Sequence, residues 1–334
     1  MLKTLLRCAA MSAVVLTTAA AAEPIKLKLA NFTSDRTSLY VDMIKPFVDA
    51  VNSEARGELQ IDVYSSGALG KAPSQQAQLV LDGIADIAFV IPGATDRFPD
   101  NAVVELPGLF QGLREASMVF TGLATTRTLR GYDDFHVIGA LATEPESIHS
   151  HAAIASLDDL RGKKIRISSP SESAALARLG MQPVLMPVLA VSEAISSGAI
   201  DGAAIAPALL QEFGIGRVTS YHYLLRTSAG SLTLLMNRKK FESLPAPAQE
   251  IIRKYSGAWI AARFADGYER ANAQAIEQLK ADARRKVLIP TQPELDRAQA
   301  AFKFVIDSWA AEAPQNRKLL DLANAEIVKY RATR

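Results

Sequence analysis

Cysteine is almost missing from this chain, which carries one, Cys8, in 334 residues. An excess of one charge is missing too: 37 basic residues face 35 acidic ones, a formal net charge of +2. That balance argues against a nucleic-acid partner, which calls for a basic excess or stripe. Beyond its first residues the chain has no run of the roughly 18 uncharged apolar residues that a membrane span needs. Catalytic signatures are missing as well. There is no Gly-x-Ser-x-Gly elbow. Gly67-Ala68-Leu69-Gly70-Lys71 is not a phosphate loop, because Ser65 stands where the leading glycine belongs and Ala72 follows the lysine. Gly214-Ile215-Gly216 lacks the third glycine of a dinucleotide fingerprint, with Thr219 in its place.

What is present is globular: 49% hydrophobic, 22% charged, 19 Gly and 16 Pro. At this length two lobes are the default expectation. Residues 1–22 read as a secretory signal peptide. Lys3 and Arg7 precede the apolar run Ala9–Leu16, and Ala20-Ala21-Ala22 is a small-residue cleavage site. The run is short for a membrane anchor, and Cys8, following Arg7, is misplaced for a lipoprotein anchor. Export to the periplasm is therefore expected. Cleavage after Ala22 removes Lys3, Arg7 and Cys8, leaving 35 basic against 35 acidic residues and no cysteine. A disulfide, a thiol nucleophile and a thiolate metal site are then excluded. The mature chain is expected to be soluble and monomeric.

Periodicity gives an α/β fold. Ile25–Leu29 alternates as a half-buried strand. Tyr40, Met43, Ile44, Phe47, Val48 and Val51 recur at helical spacing, and Leu59, Ile61 and Val63 alternate again. A helix over 75–82, stopped by Gly83, leads into an apolar strand over 84–91. The same order returns later: a strand at 164–167, a helix at 171–179, a strand at 184–186, a helix at 190–197 and a strand at 200–205. Both series end in Gly-x-x-Asp-x-Ala, at Gly83–Ala88 and Gly198–Ala203. Two similar α/β lobes follow. Residues 246–285 hold no proline after Pro247 and carry a helical stripe that fits one long helix or two consecutive ones. Helices through Leu295–Trp309 and Leu319–Tyr330 close the chain.

Few residues invite chemistry. His149-Ser150-His151 could set two imidazoles on one strand face as a metal pair, or be a surface or hinge strand with unrelated histidines. Asp158 and Asp159 sit in a helix-capping context. Arg166 stands out, interrupting the apolar strand Ile165-Arg166-Ile167 just before Ser168-Ser169-Pro170. At the C-terminal end of a parallel strand its guanidinium would face the crevice where α/β folds bind ligands, and its fork matches a carboxylate. An edge-strand arginine in solvent fits the periodicity equally well.

The run Leu157-Asp158-Asp159-Leu160-Arg161-Gly162-Lys163-Lys164-Ile165-Arg166-Ile167 resembles the hallmark segment of the solute-binding subunits of tripartite ATP-independent periplasmic (TRAP) transporters. Further matches come in order: Gly67–Gly70, Asp82–Ile87, Pro92-Gly93 with Arg97–Pro99, Glu105–Pro107, Gly180–Pro187 with Gly198–Gly202, and Met236-Asn237 with Phe241–Pro245. The resemblance implies two α/β lobes around a cleft with a long helix running along both. Lobe I would be 23–145 plus 232–271, and lobe II 146–231 plus 272–334. It also implies binding without catalysis, cofactor or metal. An organic anion would pair with Arg166, the lobes would close, and membrane subunits of the transporter would import it on a sodium gradient.

Two departures bear on the ligand. Where many members carry a second pocket arginine this chain has Glu146. Where many carry Gln-Glu-Asn-Pro it has Ala203-Ala204-Ile205-Ala206-Pro207. A sugar acid needs polar partners for its hydroxyls, so an apolar or aromatic carboxylate is expected. With Arg166, the expected lining is Phe32 and Thr33; Val90, Ile91 and Pro92; and His149, Ser168, Met186, Ala206 and Pro207. Core packing is the alternative for Met186 and Val90. Two rival functions remain: a ligand-sensing module serving a receptor, and a secreted metal-dependent enzyme using His149 and a carboxylate.

Overall fold

A computed structural model describes residues 23–333, so the expected signal peptide, with Lys3, Arg7 and Cys8, lies outside the described residues. The strands are β1 (Ile25–Ala30), β2 (Leu59–Tyr64), β3 (Ile87–Val90), β4 (Phe135–Ala142), β5 (Ser147–Ser150), β6 (Lys164–Ile167), β7 (Gln182–Leu185), β8 (Gly202–Ile205), β9 (Tyr221–Tyr223), β10 (Ser231–Asn237) and β11 (Lys286–Leu288). The helices are α1 (Lys45–Glu54), α2 (Gln76–Leu81), α3 (Leu113–Thr125), α4 (Pro170–Arg178), α5 (Val191–Ser196), α6 (Leu209–Glu212), α7 (Arg238–Glu242), α8 (Ala246–Lys254), α9 (Ala258–Ala281), α10 (Gln292–Glu312) and α11 (Pro314–Ala332).

The strands form two sheets, one per lobe. The first has the order β2-β1-β3-β10-β4, with β1, β2 and β3 parallel and β10 antiparallel between β3 and β4. The second has the order β11-β9-β5-β8-β6-β7, with β6, β7 and β8 parallel and β5 antiparallel between β8 and β9. Each lobe thus contains the parallel strand–helix units that the periodicity predicts. Alternation in β1 buries Leu27 and Leu29, and the apolar stripe of α1 buries Phe47, Val48 and Val51. The chain crosses between lobes at 143–146 and again at 224–230, and α9 crosses a third time.

The structure refines the sequence reading in several places. The third strand is shorter than the apolar run 84–91, because a turn at Gly83-Ile84 leaves Ile84 exposed before β3 begins. The 246–285 stripe is two helices. Gly257, at φ +62°, breaks it by taking a left-handed backbone that suits glycine, and its N–H caps Ile138 O at 2.8 Å. The second piece, α9, is 24 residues long, about 36 Å at the helical rise. It packs on α3 and β4 of the first lobe and on β11 of the second. Gly267 lets the π-helical turn Tyr40–Ile44 approach α9, since a Cβ there would lie 2.2 Å from Asp42 Oδ1.

The C-terminal helices divide between the lobes. Ala298, Phe302 and Val305 of α10 join the core of the second lobe. Leu319, Leu320, Ala323 and Ile327 of α11 instead join the first lobe's core against α3. The reason is physical: an apolar stripe on α3, with Val119, Phe120 and Leu123 buried, leaves that helix face to be covered.

Candidate ligand-binding site

A cavity of about 430 Å³ lies between the lobes. Phe32, Leu39, Ile91 and Leu232 wall it from the first lobe, and Met186, Val188, Ile205, Leu209 and Phe213 from the second. Phe32 is held by stacking on buried Phe89, ring centroids 5.2 Å apart. Most of its polar side chains lie together at one end: Thr143 and Glu146 both approach Gly230, next to Ser231, and Arg166 and Ser168 face Glu146, while Ser74 lines it as well.

Arg166 stands on β6, one residue from its C-terminal end, and is 5% exposed. Its Nε donates to Met186 O at 3.0 Å and its Nη1 to Ala204 O at 3.1 Å. A guanidinium has five N–H donors. Two carbonyls therefore fix its orientation and leave a fork of donors toward the cavity, the arrangement that takes a carboxylate bidentately. Burial works to lower its pKa, opposed by the negative charge of Glu146 and Glu172. Arginine stays charged regardless.

Glu146 comes from the first crossover and Glu172 from the first turn of α4. Burial raises the Glu146 pKa well above the carboxylate range, and the neighbouring Glu172 raises it further. Glu172 is pushed up to about 7, again chiefly by burial. The Thr227 hydroxyl donates to Glu172 Oε1. Behind Ser231 lies Glu105, whose Oε1 accepts from the Ser231 hydroxyl and, at 3.2 Å, from Asn101 Nδ2. Gly93 permits that approach, because a Cβ there would stand 2.9 Å from Glu105 Oε1.

Of the residues expected to line the pocket, Arg166, Phe32, Ile91, Ser168 and Met186 meet at this cavity. Thr33, Val90, Pro92, His149, Ala206 and Pro207 do not. The Thr33 hydroxyl bonds to Asn31 Oδ1 at 2.8 Å in a local turn. Val90 points into the first lobe's core, since side chains alternate along a strand. Pro92 is buried at the start of a 3₁₀ turn whose Gly93 and Ala94 face the cavity instead. Ala206 is buried beside Ile205, which takes the lining position. Pro207 lines a separate groove.

His149 is buried in the middle of the second sheet, not on a surface or hinge strand. Its Nδ1 lies 2.8 Å from His222 Nδ1 and its Nε2 3.2 Å from Ile205 O. His151 lies past the strand end and is exposed, so the two histidines do not converge on one ion. Among the described residues no group of three His, Cys, Asp or Glu is placed to hold a metal. The sequence reading missed Thr143 and Gly230–Leu232, which the crossovers bring to the cavity without any motif. Glu146 is visible in the sequence only as a departure, an acid where many members of the family carry a second pocket arginine.

Residues 29–313 match the model of the bacterial extracellular solute-binding protein family 7. The chain belongs to this family. A solute-binding protein of Sulfitobacter sp. strain NAS-14.1 is 25% identical over 310 residues, covering 91% of this chain and 92% of the relative. A TRAP solute-binding protein of Rhodoferax ferrireducens T118, solved with copurified benzoate, superposes with a TM-score of 0.86 at 25% identity, covering 92% of this chain and 99% of the other. A marine metagenome TRAP solute-binding protein specific for aromatic acid ligands, solved with 3-hydroxybenzoate, gives 0.84 at 26% identity with the same coverage. This is therefore a TRAP solute-binding protein, of a family of periplasmic receptors that bind small organic acids and work with membrane subunits. The family is one of transport proteins and not of enzymes. Among the described residues no helix is long and apolar enough to cross a membrane.

This solute-binding protein has a larger groove, of about 670 Å³, on the far side of the crossovers. Its charges are already matched: Arg114 with Glu269, Arg226 with Glu144, and Arg331 with Glu115. The smaller interlobe cavity is the candidate site because its guanidinium keeps free donors over an apolar floor.

Proposed function

We propose that this solute-binding protein captures an apolar or aromatic monocarboxylate in the interlobe cavity. In this reading Arg166 holds the carboxylate, and Phe32, Ile91 and Met186 receive the apolar body. Closure of the lobes buries the anion, and the loaded protein delivers it to the membrane subunits of a sodium-driven TRAP transporter. The mature protein works in the periplasm after loss of residues 1–22. The observation that carries the reading is the buried Arg166 with unpaired N–H donors at the polar end of an otherwise apolar cavity. A sugar acid would leave its hydroxyls facing Leu39, Val188 and Leu209 without partners. The benzoate and 3-hydroxybenzoate of two structural relatives are acids of the favoured shape.

The test is thermal stabilisation of ligand-free protein by a panel of sugar acids, short keto acids, dicarboxylates and aromatic acids. Binding to the native state alone raises stability by about 4 kcal/mol at a thousandfold excess over Kd. Aromatic or apolar monocarboxylates should give the largest shift. Arg166→Ala should keep the fold and weaken binding at least tenfold, because breaking a buried charge pair costs ~2–5 kcal/mol. A larger shift with sugar acids would overturn the ligand class, and unchanged affinity in Arg166→Ala would overturn the site.

A further inference from the structure

The polar end of the cavity holds more acid than a pocket for an anion needs. Arg166 is one buried cation, and Glu146 and Glu172 are two buried carboxyls beside it. Glu146 lines the cavity, yet its Oε2 has no hydrogen-bond partner, and neither has Glu172 Oε2. Two neighbouring buried carboxylates, each with one oxygen that lacks a donor, cannot both be ionised at modest cost. A proton held between them supplies the missing donor. With that one proton the trio Arg166, Glu146 and Glu172 sums to zero charge in the empty pocket. An incoming carboxylate makes the sum minus one in a buried site, where an uncompensated charge is costly. A second proton restores neutrality.

We propose that Glu146 acts as a neutral acid donor to the ligand's carboxylate, opposite the Arg166 fork, and that one proton enters the Glu146–Glu172 pair with each anion bound. The proton comes from solvent and no covalent bond to carbon changes. Glu146 thereby fills, as an O–H donor, the place where many members of the family carry a second arginine. The inference rests on the carboxylate reading of the cavity.

The groups facing Glu146 are consistent with this. From β6 comes Arg166, from α4 Glu172, and from the loop after the 3₁₀ turn Pro99–Val103 Glu105. Tyr268 of α9 also senses Glu146, and it is buried and held neutral. Glu105 is itself raised by burial, bonds to Ser231 and Asn101, and stands behind the cavity wall without lining it. Ser168 lies within hydrogen-bonding reach of Glu146 and can rotate to donate or accept. The pair titrates as a unit, with burial raising both carboxyls and Glu172 reaching about 7.

The sign follows. The complex binds one more proton than the free protein, so affinity is greatest at low pH and falls as pH rises through the titration of the pair. At its steepest the loss is about tenfold per pH unit. The experiment is titration calorimetry of the full protein with benzoate, 3-hydroxybenzoate and phenylacetate. Runs at about pH 8 in buffers of different ionisation enthalpy should reveal uptake of about one proton per anion. Glu146→Gln/Glu172→Gln keeps donors in both places and removes the titration, so it should bind at low pH and lose the pH slope, while Glu146→Ala should bind more weakly at every pH. Binding of these acids by wild-type protein without proton uptake would overturn the inference and leave the carboxylate reading standing. Failure of every acid to bind folded protein would overturn both.

Discussion

At the scale of single residues, the buried histidines are fixed by donor rules. Arg285 can only donate, so His222 Nε2, 3.4 Å from Arg285 Nη1, accepts and His222 Nδ1 carries the proton. His149 Nδ1 then accepts at 2.8 Å, and its Nε2–H points at Ile205 O. The chain runs from the outer end of the second lobe's sheet to a residue that lines the cavity, and it works only with both rings neutral. Burial lowers both pKa values, that of His222 to about 4, and each cation would be repelled further by its neighbour: His222 for His149, Arg285 for His222. A histidine with a depressed native pKa contributes stability above its unfolded value near 6.5 and loses it as pH falls toward about 4. The histidines' contribution to native stability should therefore drop on the order of 2–3 kcal/mol across that window, while the buried Glu146–Glu172 pair, with raised pKa values, works in the opposite direction. Denaturant melts between pH 7 and pH 4 would show it, and His149→Asn/His222→Asn should flatten the dependence; an unchanged slope in that variant would place the loss elsewhere. The same precision explains which site residues were legible in sequence. Arg166 was conspicuous because a charge interrupted an apolar strand. Val90 against Ile91, and Ala206 against Ile205, turn on a shift of one residue, which flips a side chain to the other face.

At the scale of elements, the start of α10 shows how local sequence ties distant parts together. Thr291 and Glu294 form a capping box, with Glu294 Oε2 accepting from Thr291 N and Oγ1, both at 2.7 Å. Glu294 Oε1 also accepts from Leu157 N at 2.7 Å, fastening the helix to the segment ahead of β6. Burial works against the charge of Glu294, but these hydrogen bonds prevail and hold its pKa at about 2. Its contribution is complete above the unfolded value near 4.3 and fades as pH falls toward 2. Glu294→Ala should cost about 1–2 kcal/mol in denaturant melts at neutral pH. A cost near zero would mean that the box is decorative. Elements of this kind, with caps, stripes and alternation inside one short window, were readable from sequence. The parallel units β1–α1–β2 and β6–α4–β7 are examples. β4, β9 and β10 were not, because largely buried strands show no alternation, and their partners lie far away along the chain.

At the scale of the whole molecule, closure of the cleft has a visible latch. Glu212, on α6 of the second lobe, accepts from the Ser38 backbone N–H of the first lobe at 2.6 Å. In the proposed binding cycle this bond spans the gap that opens for a ligand to enter or leave. Glu212→Ala should favour the open form and weaken affinity about three- to tenfold, mainly through faster release. Stopped-flow release rates would measure it, and unchanged release would show that the latch does not hold the lobes together. The sheet order has a consequence for how the molecule comes into being. β10 fills the slot between β3 and β4, and among the described residues β4 pairs with no other strand. Residues 231–237 must therefore be present before the first sheet can close, when more than two-thirds of the 334 residues have been synthesised. Until then β3 offers a bare edge and β4 hangs loose. A nascent chain so arranged leaves this sheet incomplete for most of its synthesis, which suits the proposed periplasmic destination, since a polypeptide threaded through a membrane channel must not have closed such a sheet beforehand.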